Sequence, residues 1–236
     1  LLFNKGAYAE YIRVPARIAA KNTYVIPDHL RYEDAALAEP LACVLRGLDE
    51  TGVRPGDTIA VMGLGPIGLM FTLMAKRVFG ARVIVVARRS LQIEKALSLG
   101  ADEGIELNDP AKALLDLRRR TGGRGADVMI EAVGQPDTWE LATQMVRKGG
   151  VVNFFGGCAA GTKVGLDTQR LHYSEITCKA SFHHTPAHIR RSLDVVAAGK
   201  VTADHLVNRV EPLSNLLQVM RDLMSRNGHI KTAIIP

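Results

Sequence analysis

The most constraining feature of this chain is a run of β-branched and apolar residues that ends on a glycine-rich turn. Thr58-Ile59-Ala60-Val61-Met62 reads as a buried strand, Gly63-Leu64-Gly65-Pro66-Ile67-Gly68 follows without a gap, and Pro66 to Phe79 repeats apolar residues at helical spacing. A lone GxGxxG recurs by chance, but a strand before it and a helix after it are the context its mechanism demands. Gly63 permits the tight turn, Gly65 lets backbone amides approach a pyrophosphate, and Gly68 lets the helix pack close to the strand. Pro66 and Ile67 open the helix whose N-terminus faces the phosphate charge. A glycine-rich turn that holds no ligand is the competing reading.

The rhythm continues downstream. Arg82 to Ala87 reads as a strand, Ser90 to Leu99 as a helix closed by Gly100, Glu103 to Leu107 as a short strand, and Pro110 to Arg120 as a helix. After the turn at Thr121 to Gly125 come a strand at Asp127 to Val133 and a helix near Asp137 to Val146. Lys148-Gly149-Gly150 then leads to the strand Val151 to Phe155. Such alternation predicts an α/β fold, a doubly wound parallel sheet of Rossmann type. The flanks break this rhythm. Ala7 to Val14 reads as a strand, Pro27 to Glu50 as two short helices, Ala187 to Ala198 and Leu213 to Ser225 as helices, and Ile230 to Ile235 as a final strand. Both ends are therefore expected in a second domain packed on the sheet.

In such sheets an acid about 20 residues past the fingerprint grips the adenosine ribose. Here the second strand ends Ala87-Arg88-Arg89-Ser90. A missing carboxylate followed by two guanidinium groups suits a 2′-phosphate, which Arg binds through bidentate charge-assisted bonds. The expected cofactor is thus NADP, with NAD as the lesser choice. Two solvated arginines at a helix start are the plain alternative, at a small cost against the helix dipole.

Charge and cysteines narrow the class. The formal net charge is +6, but the positive residues are scattered and aromatics are only 5% of the 236 residues, which argues against nucleic-acid binding. Apolar runs are far shorter than the roughly 20 residues a membrane helix needs. Cys43, Cys158 and Cys178 are odd in number, far apart and without CxxC spacing, so free thiols in a reducing, cytoplasmic setting are expected. No leader is evident, although the chain begins at Leu1 rather than Met, so a removed leader stays compatible.

Several motifs in order resemble the zinc-dependent medium-chain dehydrogenases, in particular their sorbitol/threonine dehydrogenase branch. Gly6-Ala7-Tyr8-Ala9-Glu10-Tyr11 through Val14-Pro15 resembles the strand closing that family's GroES-like catalytic lobe. Asp34-Ala35-Ala36-Leu37-Ala38-Glu39-Pro40-Leu41 resembles its interdomain helix. Thr121 to Asp127, with Glu131-Ala132-Val133-Gly134, resembles its turn and strand beside the adenosine, and the likeness runs on to Lys231-Thr232.

The resemblance implies residues 1–43 and 184–236 in the catalytic lobe and 44–183 in the dinucleotide domain. It implies Glu39 as a direct or water-mediated ligand of a catalytic zinc, a position where a carboxylate exchanges readily with water or substrate oxygen. Val133 and Gly134 are implied beside the adenosine, Phe155 and Gly156 beside the nicotinamide ribose, Phe182 at the carboxamide, and Lys231 near the pyrophosphate. The family's other zinc ligands, its proton-relay hydroxyl and its structural zinc lobe would precede Leu1. The chain alone is therefore expected to bind dinucleotide with at most one zinc ligand and no turnover. Cys43 is expected as helix core, Cys158 and Cys178 as loop and strand packing. His183, His184 and His172 are expected as cleft lining or solvated loop, since adjacent histidines on a strand point apart. The implied activity is hydride transfer between NAD(P) and a secondary alcohol or polyol. A zinc-free quinone or enoyl reductase, against which Glu39-Pro40 speaks, and a non-catalytic nucleotide-binding protein are the alternatives. Strands at Lys163 to Thr168 and Glu175 to Phe182 are expected to pair between copies in a homodimer or homotetramer.

Overall fold

The computed structural model of the chain describes residues 6–225 and 230–236. Residues 1–5 of the first expected lobe segment and 226–229 of the last lie outside the described residues.

Upstream of the fingerprint lie the helices α1 (Ala16–Asn22), α2 (Tyr32–Ala35) and α3 (Ala38–Asp49). The sheet strands are β1 (Thr58–Met62), β2 (Arg82–Ala87), β3 (Glu103–Glu106), β4 (Ala126–Glu131), β5 (Val146–Phe154) and β6 (Thr177–Ala180). They are all parallel, in the order β3-β2-β1-β4-β5-β6. Strand order reverses between β1 and β4, so the sheet is doubly wound and leaves a crevice at the strands' C-terminal ends there. Every residue of β1 is buried, as expected for a central parallel strand covered on both faces.

Alternate residues serve alternate faces. Ile59, Val61, Val83, Val85, Val128 and Ile130 join one apolar layer under α3, α4 (Pro66–Arg77) and α5 (Ser90–Ser98). Ala60, Met62, Ile84, Val86, Met129 and Val152 join the other, under α6 (Pro110–Arg120) and α7 (Pro136–Met145). Local chemistry starts these helices. The Asp109 carboxylate accepts the Ala111 and Lys112 amides at 2.8 and 3.2 Å ahead of α6, and Gln135 and Thr138 cap α7 reciprocally.

Downstream come α8 (Thr168–Tyr173), α9 (Pro186–Ala197), α10 (Ala203–Leu206), β7 (Arg209–Pro212), α11 (Leu216–Met224) and β8 (Thr232–Ile235). β7 and β8 pair with each other, parallel and apart from the main sheet. The two flanks touch each other. The buried Asp34 carboxylate receives the Arg31 guanidinium at 2.8 Å and the Ala203 amide at 2.6 Å, and the Tyr24 hydroxyl donates to the Pro186 carbonyl at 2.9 Å.

Four expectations need correction. Ala7 to Val14 is not a strand: it finds no pairing neighbour among the described residues, and its Tyr11 is 91% exposed. Lys163 to Thr168 is extended loop leading into α8, which starts where Asp167 accepts the Arg170 amide at 3.0 Å. The segment Glu175 to Phe182 contributes only β6, which is itself the sixth parallel strand, paired to β5. Glycines 149 and 150 do not precede a strand. They lie within β5, which begins at Val146 and shifts register opposite Ala126 and Val128. Helix α3 runs on across residues 43 and 44, and its Leu41, Val44, Leu45 and Leu48 pack into the sheet's own core.

Candidate cofactor cleft and side-chain cluster

A cleft of about 920 Å³ opens at the C-terminal ends of β1, β2 and β4. Gly63, Gly65 and Pro66 form its floor, Ala87, Arg88 and Arg89 one rim, and Val133 the other. Its size suits a dinucleotide portion, and its place is the switch point of the sheet. The fingerprint glycines are required where they stand. Gly63 holds φ +93°, and a Cβ on Gly68 would lie 1.8 Å from the Gly63 carbonyl oxygen. The turn and the first turn of α4 are therefore pressed together with no room for a side chain, and the N-terminal end of α4, at Gly65 and Pro66, borders the cleft.

Beside this turn, β4 ends on a fully buried carboxylate. Glu131 Oε1 accepts the backbone N–H of Val133 at 2.9 Å and of Gly134 at 3.0 Å, and the Thr138 hydroxyl at 2.8 Å. Its backbone carbonyl accepts the amides of Phe155 and Gly156, both at 2.9 Å. One residue thus fixes the loops after β4 and β5. Burial pushes its carboxyl above the usual value, opposed by the hydrogen bonds from Thr138 and the Gly134 and Val133 amides.

At the end of β2, Ala87 is buried and Arg88 and Arg89 are exposed. Arg88 pairs with Asp137 in the first turn of α7 at 3.3 Å, rather than pointing freely to solvent. Both partners are about two-thirds exposed, so the pair contributes roughly 0–1 kcal/mol and is easily exchanged. Arg89 immediately precedes α5 and makes no ion pair among the described residues.

A second cluster stands on α3. Glu39 and Cys43 are one turn apart and share a face, with Cys43 Sγ 3.6 Å from Glu39 Oε1. His184 Nε2 lies 3.5 Å from the same oxygen. Burial and then the Glu39 charge push the Cys43 thiol up to about 12. Three ligand-type side chains therefore stand together where at most one metal ligand was expected. Cys43 was expected as helix core, yet the i, i+4 spacing turns it toward Glu39. The histidines were treated as strand residues that point apart. β6, however, ends at Ala180, and His183 adopts φ +65°, so the pair sits in a turn. The His184 side chain is 16% exposed. The loop is tied down: Arg46 donates to the Phe182 carbonyl at 2.9 Å, Asn153 to the Gly47 carbonyl at 2.8 Å, and Ser181 to Asn153 at 3.1 Å.

The structure therefore brings Gly63, Gly65, Pro66, Ala87, Arg88, Arg89 and Val133 around one cleft, with Gly68 behind the turn and Ile67 half-buried within α4. Gly134 and Gly156 adjoin it through Glu131. Phe155 packs edge-on against Phe71, and the Phe182 side chain is 73% exposed against His183. Lys231 does not line the cleft, although its neighbour Ile230 does. Sequence reasoning gave no role to Thr138, Cys43 or His184. The signals were present: a carboxylate ending an apolar strand with Gly and Thr at fixed offsets, and a thiol four residues after Glu39.

A doubly wound parallel sheet with a GxGxxG turn at its switch point defines a Rossmann-type nucleotide-binding fold. A family model described as zinc-binding dehydrogenase matches residues 66–198, and the chain belongs to that family. It is 31% identical over 232 residues to a sorbitol dehydrogenase of Bacillus subtilis (strain 168), covering 98% of this chain and 64% of the relative. An alcohol dehydrogenase from Thermus sp. ATN1 superposes with a TM-score of 0.87 at 29% identity, covering 98% of this chain and 65% of that one. A Sinorhizobium meliloti 1021 structure assigned to the zinc-binding dehydrogenases and bound to NADP gives a TM-score of 0.81 at 30% identity, covering 90% and 62%. The chain thus spans somewhat less than two thirds of the length of these proteins. No helix among the described residues is long and apolar enough to cross a membrane.

Proposed function

We propose that the protein transfers a hydride between NADP(H) and a secondary alcohol or polyol, with zinc at the substrate oxygen, and that this chain supplies the dinucleotide cleft and the Glu39 side of the metal site. The observation that carries the cofactor assignment is the end of β2. The buried Ala87 leaves no carboxylate to repel a 2′-phosphate, and Arg89 makes no ion pair among the described residues on the same cleft rim. The α4 N-terminus and the Gly63–Gly65 turn would hold the pyrophosphate, and Glu131 would hold the Val133–Gly134 and Phe155–Gly156 loops in shape around the bound cofactor.

The side chains near Glu39 fit a zinc ion. They offer oxygen, sulfur and nitrogen donors, and His184 Nδ1 is buried without a hydrogen-bond partner among the described residues. When bound there, zinc would supply a Lewis acid that lowers the pKa of the alcohol, and the nicotinamide would supply the hydride acceptor. Phe182 and Lys231 are assigned to the carboxamide and pyrophosphate, through the Phe182 backbone and the Lys231 charge. Residues 44–183 are assigned to the dinucleotide domain, with 1–43 and 184–236 in the catalytic lobe and α3 shared between them. We also infer a homodimer or homotetramer joined at β6 in a reducing, cytoplasmic setting.

The test is reduction of NADP+ by a panel of secondary alcohols and polyols, with the natural full-length protein and added Zn2+. Zinc-dependent NADPH formation with at least one of them is expected. Reduction of a quinone or enone without zinc, and no polyol turnover, would overturn the reading.

A further inference from the structure

Alternation along β5 turns Val152 and Phe154 to one face of the sheet and Asn153 to the other. Its register partner on β4, Ile130, belongs to the apolar layer under α3. Asn153 is thus a fully buried polar side chain at a position where Val or Leu would fill the core. A buried amide is costly unless its donors and acceptors are met, and here they join two elements. Asn153 Nδ2 donates to the Gly47 carbonyl of α3 at 2.8 Å, and its Oδ1 accepts the Ser181 hydroxyl at 3.1 Å. We propose that Asn153 is a positioning residue for the nicotinamide half of the cofactor, setting the Ser181–Phe182 segment against α3. The proposal rests on the reading of the Phe182 backbone as partner of the carboxamide, and adds the side chain that holds that backbone in place.

Topology puts the segment on the required side. A doubly wound sheet binds a dinucleotide across its crevice, one nucleotide on each half. Arg88 and Arg89 follow β2, on the half made of β3, β2 and β1. The strands β4, β5 and β6 make the other half, and Ser181 and Phe182 directly follow β6, its outermost strand. With the 2′-phosphate at the arginines, the nicotinamide nucleotide falls to the half that Asn153 braces.

The bond to α3 fills a real gap. The Gly47 carbonyl is near the end of the helix, where carbonyls lack intrahelical partners. The Thr51 amide, four residues on, donates to Leu48 instead. Asn153 supplies the missing donor. Gly47 also brings α3 close to the same half of the crevice, since a Cβ there would lie 2.9 Å from the Phe71 ring and 3.3 Å from that of Phe155. Phe155 is the residue assigned beside the nicotinamide ribose. Two further bonds run the same way, from Arg46 to the Phe182 carbonyl at 2.9 Å and from Lys179 to the Glu50 carbonyl at 3.1 Å. Those two are exposed, whereas both Asn153 bonds are buried, so the Asn153 link is the one water competes with least.

Positioning and simple helix capping separate experimentally, because only positioning distinguishes the two halves of the cofactor. NADPH and adenosine 2′,5′-bisphosphate, which lacks the nicotinamide half, are titrated against the chain and its variants, with the emission of the bound nicotinamide as a second readout. The parent chain is expected to bind NADPH more tightly than the bisphosphate and to shift and brighten the nicotinamide emission. Asn153→Leu, close in volume, is expected to weaken NADPH about three- to tenfold, the weight of a neutral hydrogen bond. It should also lose the emission change and leave bisphosphate affinity as it was. Ser181→Ala keeps the cap on Gly47 and cuts only the link to the loop. It is expected to reproduce the NADPH loss with little change in urea midpoint, so the test stands even if Asn153→Leu does not fold. Ser181→Thr keeps a hydroxyl and is expected to behave as the parent. If Ser181→Ala binds NADPH as the parent does, or loses NADPH and bisphosphate in equal proportion, Asn153 is a helix cap and the proposal is overturned while the carboxamide reading stands. A parent chain that binds both ligands equally, with no emission change, would overturn the carboxamide reading and the proposal with it.

Discussion

The Glu131 carboxylate accepts the Gly134 backbone N–H at 3.0 Å, with no Lys or Arg side chain paired to it among the described residues. It is a buried charge held by neutral donors, and the loop it holds borders the cofactor cleft. Removing it would leave the amides of Val133 and Gly134 and the Thr138 hydroxyl without their acceptor, each costing about 1–3 kcal/mol if no water reaches it. Glu131→Ala is expected to cost about 2–4 kcal/mol in urea unfolding and to weaken NADPH binding. Because burial raises the native carboxyl above its unfolded value of 4.5, its contribution is full below that value and is lost as pH rises through the native one. Glu131→Gln should remove that downward slope while keeping the fold. An unchanged slope would show that Glu131 does not titrate as its burial requires.

Gly68 tests the fingerprint from the packing side. Its added Cβ would meet the Gly63 carbonyl oxygen at 1.8 Å, and backbone on both sides cannot move aside cheaply. Gly68→Ala is expected to destabilise by about 2–3 kcal/mol and to lose most dinucleotide affinity, because helix and turn must separate. Gly157→Ala serves as control, since nothing lies within 4 Å of that Cβ. Equal stability of the two variants in urea would contradict the close approach.

Much of this was legible in the sequence, and the parts that were not have a common cause. The bounds of β1, β2 and α6 follow from apolar runs punctuated by Gly, Pro and Asp, because each signal is local. The error at Ala7 to Val14 came from reading alternation without a pairing neighbour, and pairing is not local. β7 escaped notice because each of its residues pairs with one 23 positions downstream in β8 (Arg209 with Thr232). The cleft was foreseen from its glycines. The Glu39 cluster was not, since His184 reaches α3 only through the turn after β6.

Asp34 is expected to contribute to the acid limb of stability. The Arg31 hydrogen bond, helped by the Ala203 amide, holds its carboxyl below the ordinary value of 3.8. Stability from this carboxylate is present above the unfolded value and is lost as pH falls through the native one. Since Asp34 joins the two ends of the chain, Asp34→Asn should cost about 1–3 kcal/mol at neutral pH and flatten the acid decline. Urea midpoints measured from about pH 6 down to about pH 3 check both parts. A mutant curve parallel to the parent curve would remove Asp34 from the account.

β6 leaves a free sheet edge. Thr177, Cys178, Lys179 and Ala180 are all exposed, and β5 is the only strand they pair with among the described residues. Unpaired parallel edges are usually covered. Light scattering at micromolar concentration is expected to give two or four times the chain mass, and amide exchange along β6 should slow as concentration rises. A monomer with fast exchange there would refute assembly through this edge.

The choice of cofactor turns on Arg89. Arg88 is already drawn toward Asp137, so the adenosine 2′ position is left to its neighbour, which lines the cleft without an ion-pair partner among the described residues. A charge-assisted hydrogen bond contributes roughly 1.5–3 kcal/mol, about ten- to a hundredfold in affinity. That exceeds the roughly 1 kcal/mol of a neutral bond to a ribose hydroxyl. The exposed Arg88–Asp137 pair is weak enough to open if the phosphate recruits Arg88 as well. Asp137→Asn should therefore raise NADPH affinity slightly and leave NADH affinity unchanged. Fluorescence titration is expected to show NADPH bound more tightly than NADH, with the gap narrowing in Arg89→Ala and at higher salt. Equal affinity for the two cofactors, unchanged in Arg89→Ala, would make both arginines ordinary surface charge and move the selection elsewhere in the cleft.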